Sequence, residues 1–172
     1  MNSVLEINPQ ENFEFLHVKG PGAEATLAEA YADVPAGYFR YTEIPDGFLA
    51  RLGVREFYIF GRPGTSVSAG LSGENVYCFP RNDAVFAIRG HGRIAFLREL
   101  CAFDFAASGG DELILANMAG VSCWFKMPAT DDADLLVGSD PSYGDYMADT
   151  LNCTLAEFVS ATGHEAPQSE RK

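Results

Sequence analysis

Residues 84–105, AVFAIRGHGRIAFLRELCAFDF, place a strand, a glycine turn and a helix in one short stretch. Residues 85–88 form an apolar run rich in β-branched and aromatic side chains, which predicts a mostly buried strand. Gly90 and Gly92 end that strand. The following residues predict an amphipathic helix, because apolar and polar side chains fall on opposite sides of it. Its apolar side comprises Ile94, Phe96, Leu97, Leu100 and Cys101, and its polar side comprises Arg93, Arg98 and Glu99.

The same order of strand, glycine turn and helix occurs near the N-terminus. Residues 13–19 predict a strand, the Gly20-Pro21-Gly22 segment turns the chain, and residues 23–32 are rich in helix formers. The corresponding pairs are Gly20 with Gly90, Gly22 with Gly92, Val18 with Ile88, and Leu27 with Leu97. We therefore expect a chain built from two related halves.

Short strands and turns account for most of the remaining chain. Further strands are predicted at residues 38–41, 48–52, 56–60, 76–79, 113–116, 121–127 and 134–137. A second long helix is predicted after Ser139-Asp140-Pro141. The order favours an α+β fold with antiparallel sheets, helices on one face, and a ferredoxin-like C-terminal half. The expected organisation is an arm at 1–12, an α+β lobe at 13–80, a ferredoxin-like lobe at 81–162 and a flexible tail at 163–172.

Composition restricts the possible partners. The 172 residues include 12 Lys and Arg against 24 Asp and Glu, which gives a formal net charge of -12. Such a chain repels polyanions, so we expect no nucleic-acid partner. The N-terminus lacks a basic region followed by an apolar core, and no apolar run reaches bilayer length, so we expect a cytoplasmic protein with no membrane partner. Four widely spaced cysteines form no C-x-x-C pair and are predicted to be small buried side chains.

Two interpretations of the turn at Gly90, His91 and Gly92 remain open. With Ala95 the turn matches G-x-G-x-x-A between a strand and a helix, where a dinucleotide pyrophosphate could bind. The following elements read as antiparallel rather than as the parallel strand of a dinucleotide-binding unit. The glycines more simply serve to make a tight strand-to-helix turn, which is the interpretation that we favour. His91, at the predicted helix start, could bind an anion when protonated.

The acidic candidates also have two interpretations each. Asp104 lies between two aromatic residues just past the predicted helix, where it could act as a base, bind an amine, or accept backbone N–H bonds in a turn. The three carboxylates of the Asp131-Asp132-Ala133-Asp134 run could bind a hard cation. The run reads instead as a solvated hairpin tip, since it lacks the glycine and distal glutamate of a calcium loop. The isolated histidines His17, His91 and His164 predict no metal site, and we assign no catalytic residue.

Four segments in order resemble the gamma subunit family of heterotetrameric sarcosine oxidase, within the glycine-cleavage T-protein-like, folate-binding fold group. They are the Val18-Lys19-Gly20 segment with its helix, residues 51–61 (RLGVREFYIFG), residues 86–104, and residues 134–137 followed by 142–146 (SYGDY). Phe57 stands where that family usually has Trp, and His91 where Pro is common. The resemblance spans roughly residues 15–160.

The resemblance implies a small subunit with no catalysis of its own in a bacterial one-carbon oxidoreductase. Such a complex is expected to use FAD, FMN, NAD and tetrahydrofolate, all bound by larger flavoprotein and folate-binding subunits and none by this chain. Phe57, Trp124 and Asp104 are the candidate residues for contact with those subunits. Two alternatives are a free-standing folate-binding or one-carbon transfer protein of the T-protein group, and a dinucleotide-binding enzyme that uses Gly90 and Gly92.

Overall fold

The structure is a computed structural model, which describes residues 4–64 and 71–162. It is an α+β fold of antiparallel strands with few helices. The strands are β1 Glu6–Pro9, β2 Glu14–Lys19, β3 Arg40–Ile44, β4 Gly47–Gly53, β5 Glu56–Gly61, β6 Tyr77–Pro80, β7 Ala84–Arg89, β8 Leu113–Met118, β9 Val121–Lys126 and β10 Leu135–Ser139. The helices are α1 Ala23–Ala30, α2 Arg93–Arg98 and α3 Gly144–Thr162, with 3-10 turns at Phe105–Ala107 and Pro141–Tyr143.

The chain divides into two compact units. Unit 1 contains residues 4–10, 83–110 and 114–162, and unit 2 contains residues 11–64, 71–82 and 111–113. The first unit therefore takes in β1, at the N-terminus, where the sequence indicated only an arm. The predicted tail at 163–172 lies outside the described residues.

Unit 1 is built on a five-stranded sheet in the order β1-β7-β10-β9-β8. Strands β7 and β8, which α2 connects, are separated in the sheet by β10 and β9. One face of the sheet packs against both helices. Its core includes Phe86, Ile88, Phe125 and Val137 from the strands, Phe96 and Leu97 from α2, and Met147 and Leu151 from α3.

Unit 2 has its own five-stranded sheet in the order β3-β4-β5-β2-β6. Helix α1 covers one face, where Ala23 and Leu27 pack with Val18, Phe57 and Ile59. The opposite face carries aromatic rings in mutual contact: Phe15, Phe48, Tyr58 and Phe60. The α+β class, the antiparallel sheets and the placement of helices on one face are thus confirmed.

The two halves are offset by seventy positions. Strand β2 begins at Glu14 and β7 at Ala84, and the helices that follow them begin at Ala23 and Arg93. Gly20 and Gly90 follow these strands with φ angles of +120° and +107°. A Cβ atom on Gly20 would lie 2.2 Å from the Asn75 carbonyl oxygen, and one on Gly90 would lie 2.2 Å from that of Val4. Only glycine accommodates both the left-handed backbone and this close approach. The repeat is therefore a repeat of backbone geometry.

The edge strands follow the same repeat. Strand β6 pairs with β2, and β1 pairs with β7 in the equivalent register. Just beyond each pair, Arg81 N–H donates to the Phe15 carbonyl oxygen and Gln10 N–H donates to that of Val85, each at 2.8 Å. Hydrogen bonding alternates along an antiparallel pair, so the backbones of Pro9 and Pro80 face outward from their sheets. Each edge thus carries a residue without an N–H donor at an outward position.

Several local predictions need correction. Helix α2 ends at Arg98, so Cys101 lies in the following turn although it is buried. Arg93, predicted for the polar side, is buried. Cys101 and Cys123 are buried and Cys78 is partly buried as expected, whereas Cys153 is exposed on α3. Among the helices within the described ranges, none combines the length and apolarity that a membrane crossing needs.

Candidate functional site

A pocket of about 640 Å³ lies in unit 1 beside the turn between β7 and α2. Its volume falls within the range of small-molecule sites. Three segments line it: residues 90–94 of the turn and helix start, residues around the 3-10 turn at 105–110, and residues 127–132 after β9. The lining residues are Gly90, His91, Gly92, Arg93, Ile94, Phe105, Ala106, Ser108, Gly109, Gly110, Met127, Pro128, Asp131 and Asp132.

The pocket brings together several features that the sequence singled out separately. Gly90, His91 and Gly92 form one wall, and Asp131 and Asp132 of the acidic run form another. Gly92 has a φ angle of +86° and precedes α2 without a side-chain cap. Gly90 and Gly92 therefore both adopt positive φ angles that favour glycine, which supports the interpretation of the motif as a tight turn.

The dinucleotide interpretation also lacks its structural context. A dinucleotide-binding unit requires a parallel strand beside the one that leads into the glycine turn. Both neighbours of β7, which are β1 and β10, run antiparallel to it. The motif therefore lies on a different topology from the one that its spacing suggests.

Arg93 fixes the shape of the pocket. Its guanidinium Nη1 donates to the carbonyl oxygens of Asp131 and Ala133, each at 2.9 Å, and Nη2 donates to that of Thr130 at 3.5 Å. The Asp131 carboxylate is 4.0 Å from Nη2 and fully exposed. Buried arginine donors need such partners, and here the backbone carbonyls of one loop supply them. Arg93 therefore holds the 130–133 loop against the start of α2.

The polar side chains of the pocket differ in what they can do. Among the described residues, no hydrogen bond joins the Ser108 hydroxyl to Asp131 or Asp132, so this serine lacks the carboxylate contact that would help to activate it. The carboxylates of Asp131 and Asp132 stand in solvent at the rim. The pocket is a polar recess lined by His91, Ser108, Asp131 and Asp132.

Phe57 and Trp124, two of the candidate contact residues, are buried in this chain. Phe57 is 0% exposed, and it packs in the unit 2 core with the Arg51 guanidinium 4.8 Å from its ring centroid. Trp124 is 3% exposed, and its indole N–H donates to an Asp83 carboxylate oxygen at 2.8 Å. Neither ring is available at the surface of this chain, because strands β5 and β9 are buried on both faces.

Asp104 is exposed and has the structural role that its position in a turn indicated. Its carboxylate oxygen accepts from the Ala106 N–H at 3.3 Å and from the Arg98 guanidinium at 3.2 Å. It therefore caps the 3-10 turn that follows α2. Its candidacy as a contact residue stays a prediction.

His17 belongs to a small polar network on unit 2. Its Nε2 lies 2.7 Å from a Glu56 carboxylate oxygen, and the Lys19 ammonium lies 2.9 Å from the same oxygen. Burial lowers the pKa of the His17 imidazole, against the opposing effect of Glu56. The hydrogen bond from Lys19 is the main cause of the lowered pKa of Glu56. Within the parts of the chain that the structure describes, no three His, Cys, Asp or Glu side chains group as metal ligands.

The burial of several charged residues was not predicted from the sequence. Arg51 donates to the Pro35 carbonyl oxygen at 2.5 Å and to both carboxylate oxygens of Glu24, and this contact lowers the pKa of Glu24. Asp83 and Arg93 are likewise buried. A helical or strand pattern assigns such residues to the solvent side, because their partners are backbone groups or side chains far away in the sequence.

No protein-family model matches the sequence, and no curated protein matches it. Solved structures do match the fold. A chain of heterotetrameric sarcosine oxidase from Corynebacterium sp. U-96, in complex with pyrrole 2-carboxylate, has a TM-score of 0.76 at 17% identity, over 90% of this chain and 85% of that chain. Glycine cleavage system aminomethyltransferase T from Bartonella henselae has a TM-score of 0.67 at 15% identity, over 87% of this chain and 46% of that one.

The fold implied by the resemblance is therefore confirmed. This chain has the fold shared by a sarcosine oxidase chain and by T-protein. It spans most of the first and about half of the second.

Proposed function

We propose that this chain is a small non-catalytic subunit, of the gamma type, in a heteromeric sarcosine-oxidase-like complex that oxidises N-methyl amines. One observation carries the proposal: the fold match accounts for nearly the whole of both chains, 90% of this one and 85% of the sarcosine oxidase chain. A match of this kind supports a role equivalent to that of the sarcosine oxidase chain.

The local geometry supports a role without chemistry of its own. Three of the residues that could suggest a functional site have structural functions: Gly90 makes the turn, Arg93 holds a loop, and Asp104 caps a 3-10 turn. The partners in this proposal are larger subunits that bind the flavins and the folate. The chain itself binds none of these cofactors.

Affinity purification from the organism that encodes the chain tests the proposal. The tagged chain should elute with larger subunits whose absorbance shows flavin, and light scattering should give a mass well above that of the single chain. A tagged acidic protein of similar size is the control. A strictly monomeric chain that elutes without any flavoprotein would overturn the proposal.

A second candidate is a free-standing folate-binding or one-carbon transfer protein. The match to aminomethyltransferase T over 87% of this chain favours it. Calorimetric titration of the isolated chain with tetrahydrofolate distinguishes the two candidates, because only the free-standing protein should give saturable binding. Absence of binding heat removes the second candidate.

A further inference from the structure

An exposed surface of unit 2, which we call the β6 patch, combines apolar and cationic residues. It consists of Lys19, Val54, Arg55, Tyr77 and Phe79. Val54 is 62% exposed, Tyr77 55% and Phe79 52%. Tyr77 and Phe79 lie two positions apart on one strand, so both side chains project from the same face of β6.

Backbone contacts make the patch continuous. Lys19 pairs with Tyr77 on one side and with Glu56 on the other. The next residue, Gly20, donates its N–H to the Arg55 carbonyl oxygen at 3.0 Å. A Cβ atom at Gly20 would lie 3.0 Å from the Tyr77 ring, so the ring covers this turn. The β6 edge and the turn between β4 and β5 therefore present one surface.

On a strongly acidic chain, the net positive charge of the patch comes from Arg55. Glu56 balances Lys19 through their 2.9 Å contact. Arg55 is exposed, and its guanidinium has no hydrogen bond or ion pair among the described residues. Beside Phe79, the Arg81 guanidinium lies 5.1 Å from the Tyr58 ring centroid. Arginine and aromatic residues together are the composition that protein interfaces favour.

We propose that the β6 patch docks a segment of a different protein chain, one that carries an apolar side chain flanked by carboxylates. The inference rests on the proposed function in taking this chain to be a subunit. The net charge of -12 does not oppose such a partner at short range, because physiological salt screens charges beyond about 8 Å. The local charge of Arg55 and its neighbours therefore determines which segment binds.

Recognition occurs through side chains rather than by addition of a strand. Pro80 faces outward from β6 and has no N–H to offer, so an incoming strand would lose a ladder hydrogen bond there. The exposed rings of Tyr77 and Phe79 supply the apolar contact, and Arg55 supplies the charge contact.

Photocrosslinking in the native cell tests the proposal. The photoreactive analogue p-benzoyl-L-phenylalanine is introduced at Phe79, and in a matched control at Tyr143, which is similarly exposed but lies in unit 1. Circular dichroism verifies that both variants fold. We expect an adduct from position 79 and none from position 143, with the crosslinked peptide identified by mass spectrometry as a carboxylate-flanked apolar segment.

Charge reversal provides the second arm. In the presence of the position 79 probe, Arg55→Glu should lower the adduct yield about fivefold, because an attractive contact becomes repulsive. The control Arg62→Glu changes the same residue type beyond the other end of β5, and it should leave the yield unchanged.

The outcomes separate this inference from the proposed function. An acidic segment of a flavoprotein subunit supports both, and an acidic segment of another protein supports the docking surface but not the oxidase complex. A flavoprotein complex that crosslinks only from position 143 leaves the proposed function intact and overturns the docking surface. Absence of any adduct from position 79, a basic crosslinked peptide, a second copy of this chain, or insensitivity to Arg55→Glu overturns it as well.

Discussion

At the scale of single residues, Trp124 and Gly138 depend on each other. They are directly paired on β9 and β10, and the indole lies across the glycine. A Cβ atom at Gly138 would lie 2.2 Å from Cε2 and 2.5 Å from Nε1 of the indole. The same N–H donates to Asp83, so the ring cannot move aside without breaking a buried hydrogen bond.

We therefore expect Gly138→Ala to lower the free energy of unfolding by about 1–3 kcal/mol through overpacking. Because Trp124 is the one tryptophan in the sequence, its fluorescence during urea denaturation measures the effect. Gly53→Ala is the control, since a Cβ there meets Glu56 atoms only at an ordinary 3.8 Å. Equal denaturation midpoints for the two variants would contradict the packing argument.

Individual residues show what sequence can and cannot reveal. The turn at Gly90 was predictable because a strand, two glycines and a helix follow each other directly. The burial of Phe57 and Trp124 was not. Strand β5 is apolar on both faces, so alternation indicates no exposed side there, whereas on β9 Trp124 shares its face with Ser122 and Lys126, which alternation assigns to solvent. The pocket was not predictable either, since Asp131 joins Gly90 and Arg93 only through tertiary structure.

At the scale of elements, Arg93 connects α2 to the loop that precedes β10. The loop has one described internal backbone hydrogen bond, from Ala133 N–H to the Thr130 carbonyl oxygen at 3.1 Å. Its remaining support in this region comes from the carbonyl contacts with the guanidinium. Arg93 therefore ties this loop to α2, while Arg89 holds Asp134 at 2.6 and 2.9 Å where the loop meets β10.

Arg93→Gln should accelerate amide hydrogen exchange in residues 130–133 by about fivefold or more, since it removes hydrogen bonds worth about 1 kcal/mol each. Hydrogen exchange read by mass spectrometry gives the result. In Arg98→Gln, which alters the same helix but contacts Asp104, exchange in this loop should stay as in the parent. A loop equally protected in all three proteins would show that Arg93 is not what holds it.

The outward prolines of the two edge strands protect both sheets. Pro9 has no backbone N–H, whereas another residue at this outward position would offer its N–H to a strand of another chain. Pro9→Val should therefore increase self-association, visible as a concentration-dependent rise in mass by light scattering. Asn8→Val is the control, because it introduces the same side chain at a position whose backbone N–H already faces β7. It should therefore cause no such rise in mass. Identical masses for the two variants would argue against edge protection.

At the scale of the whole molecule, three titrating groups link stability to pH in the same direction. The pKa values of Glu24 and Glu56 are lowered in the folded chain, so their stabilisation is complete above the unfolded value and is lost as the pH falls through the folded one. The lowered pKa of His17 acts in the same sense, because the unfolded chain takes up the proton first, below about pH 6.5.

We expect the free energy of unfolding to decrease as the pH falls from about 7 to about 3. Glu24→Gln should destabilise the chain by about 0.5–1 kcal/mol near pH 7, since its partner Arg51 is buried while the carboxylate is exposed. The difference from the parent should shrink as the pH falls through the lowered pKa of Glu24. Glu29→Gln removes the same charge from an exposed position of α1 and should change little at either pH. If the difference in the free energy of unfolding between Glu24→Gln and the parent did not depend on pH, the linkage would be refuted.

The pairing of the first strand with β7 has a consequence for the order of folding. Residues 10–83 separate β1 from β7 along the chain, whereas unit 2 is nearly contiguous and gains only residues 111–113 later. During synthesis, unit 2 can therefore fold almost completely while β1, although made first, waits for its partner strand. Closing so long a loop is slow and entropically costly. Among the described strands, β1 is thus the one that stays unpaired longest in a newly made molecule.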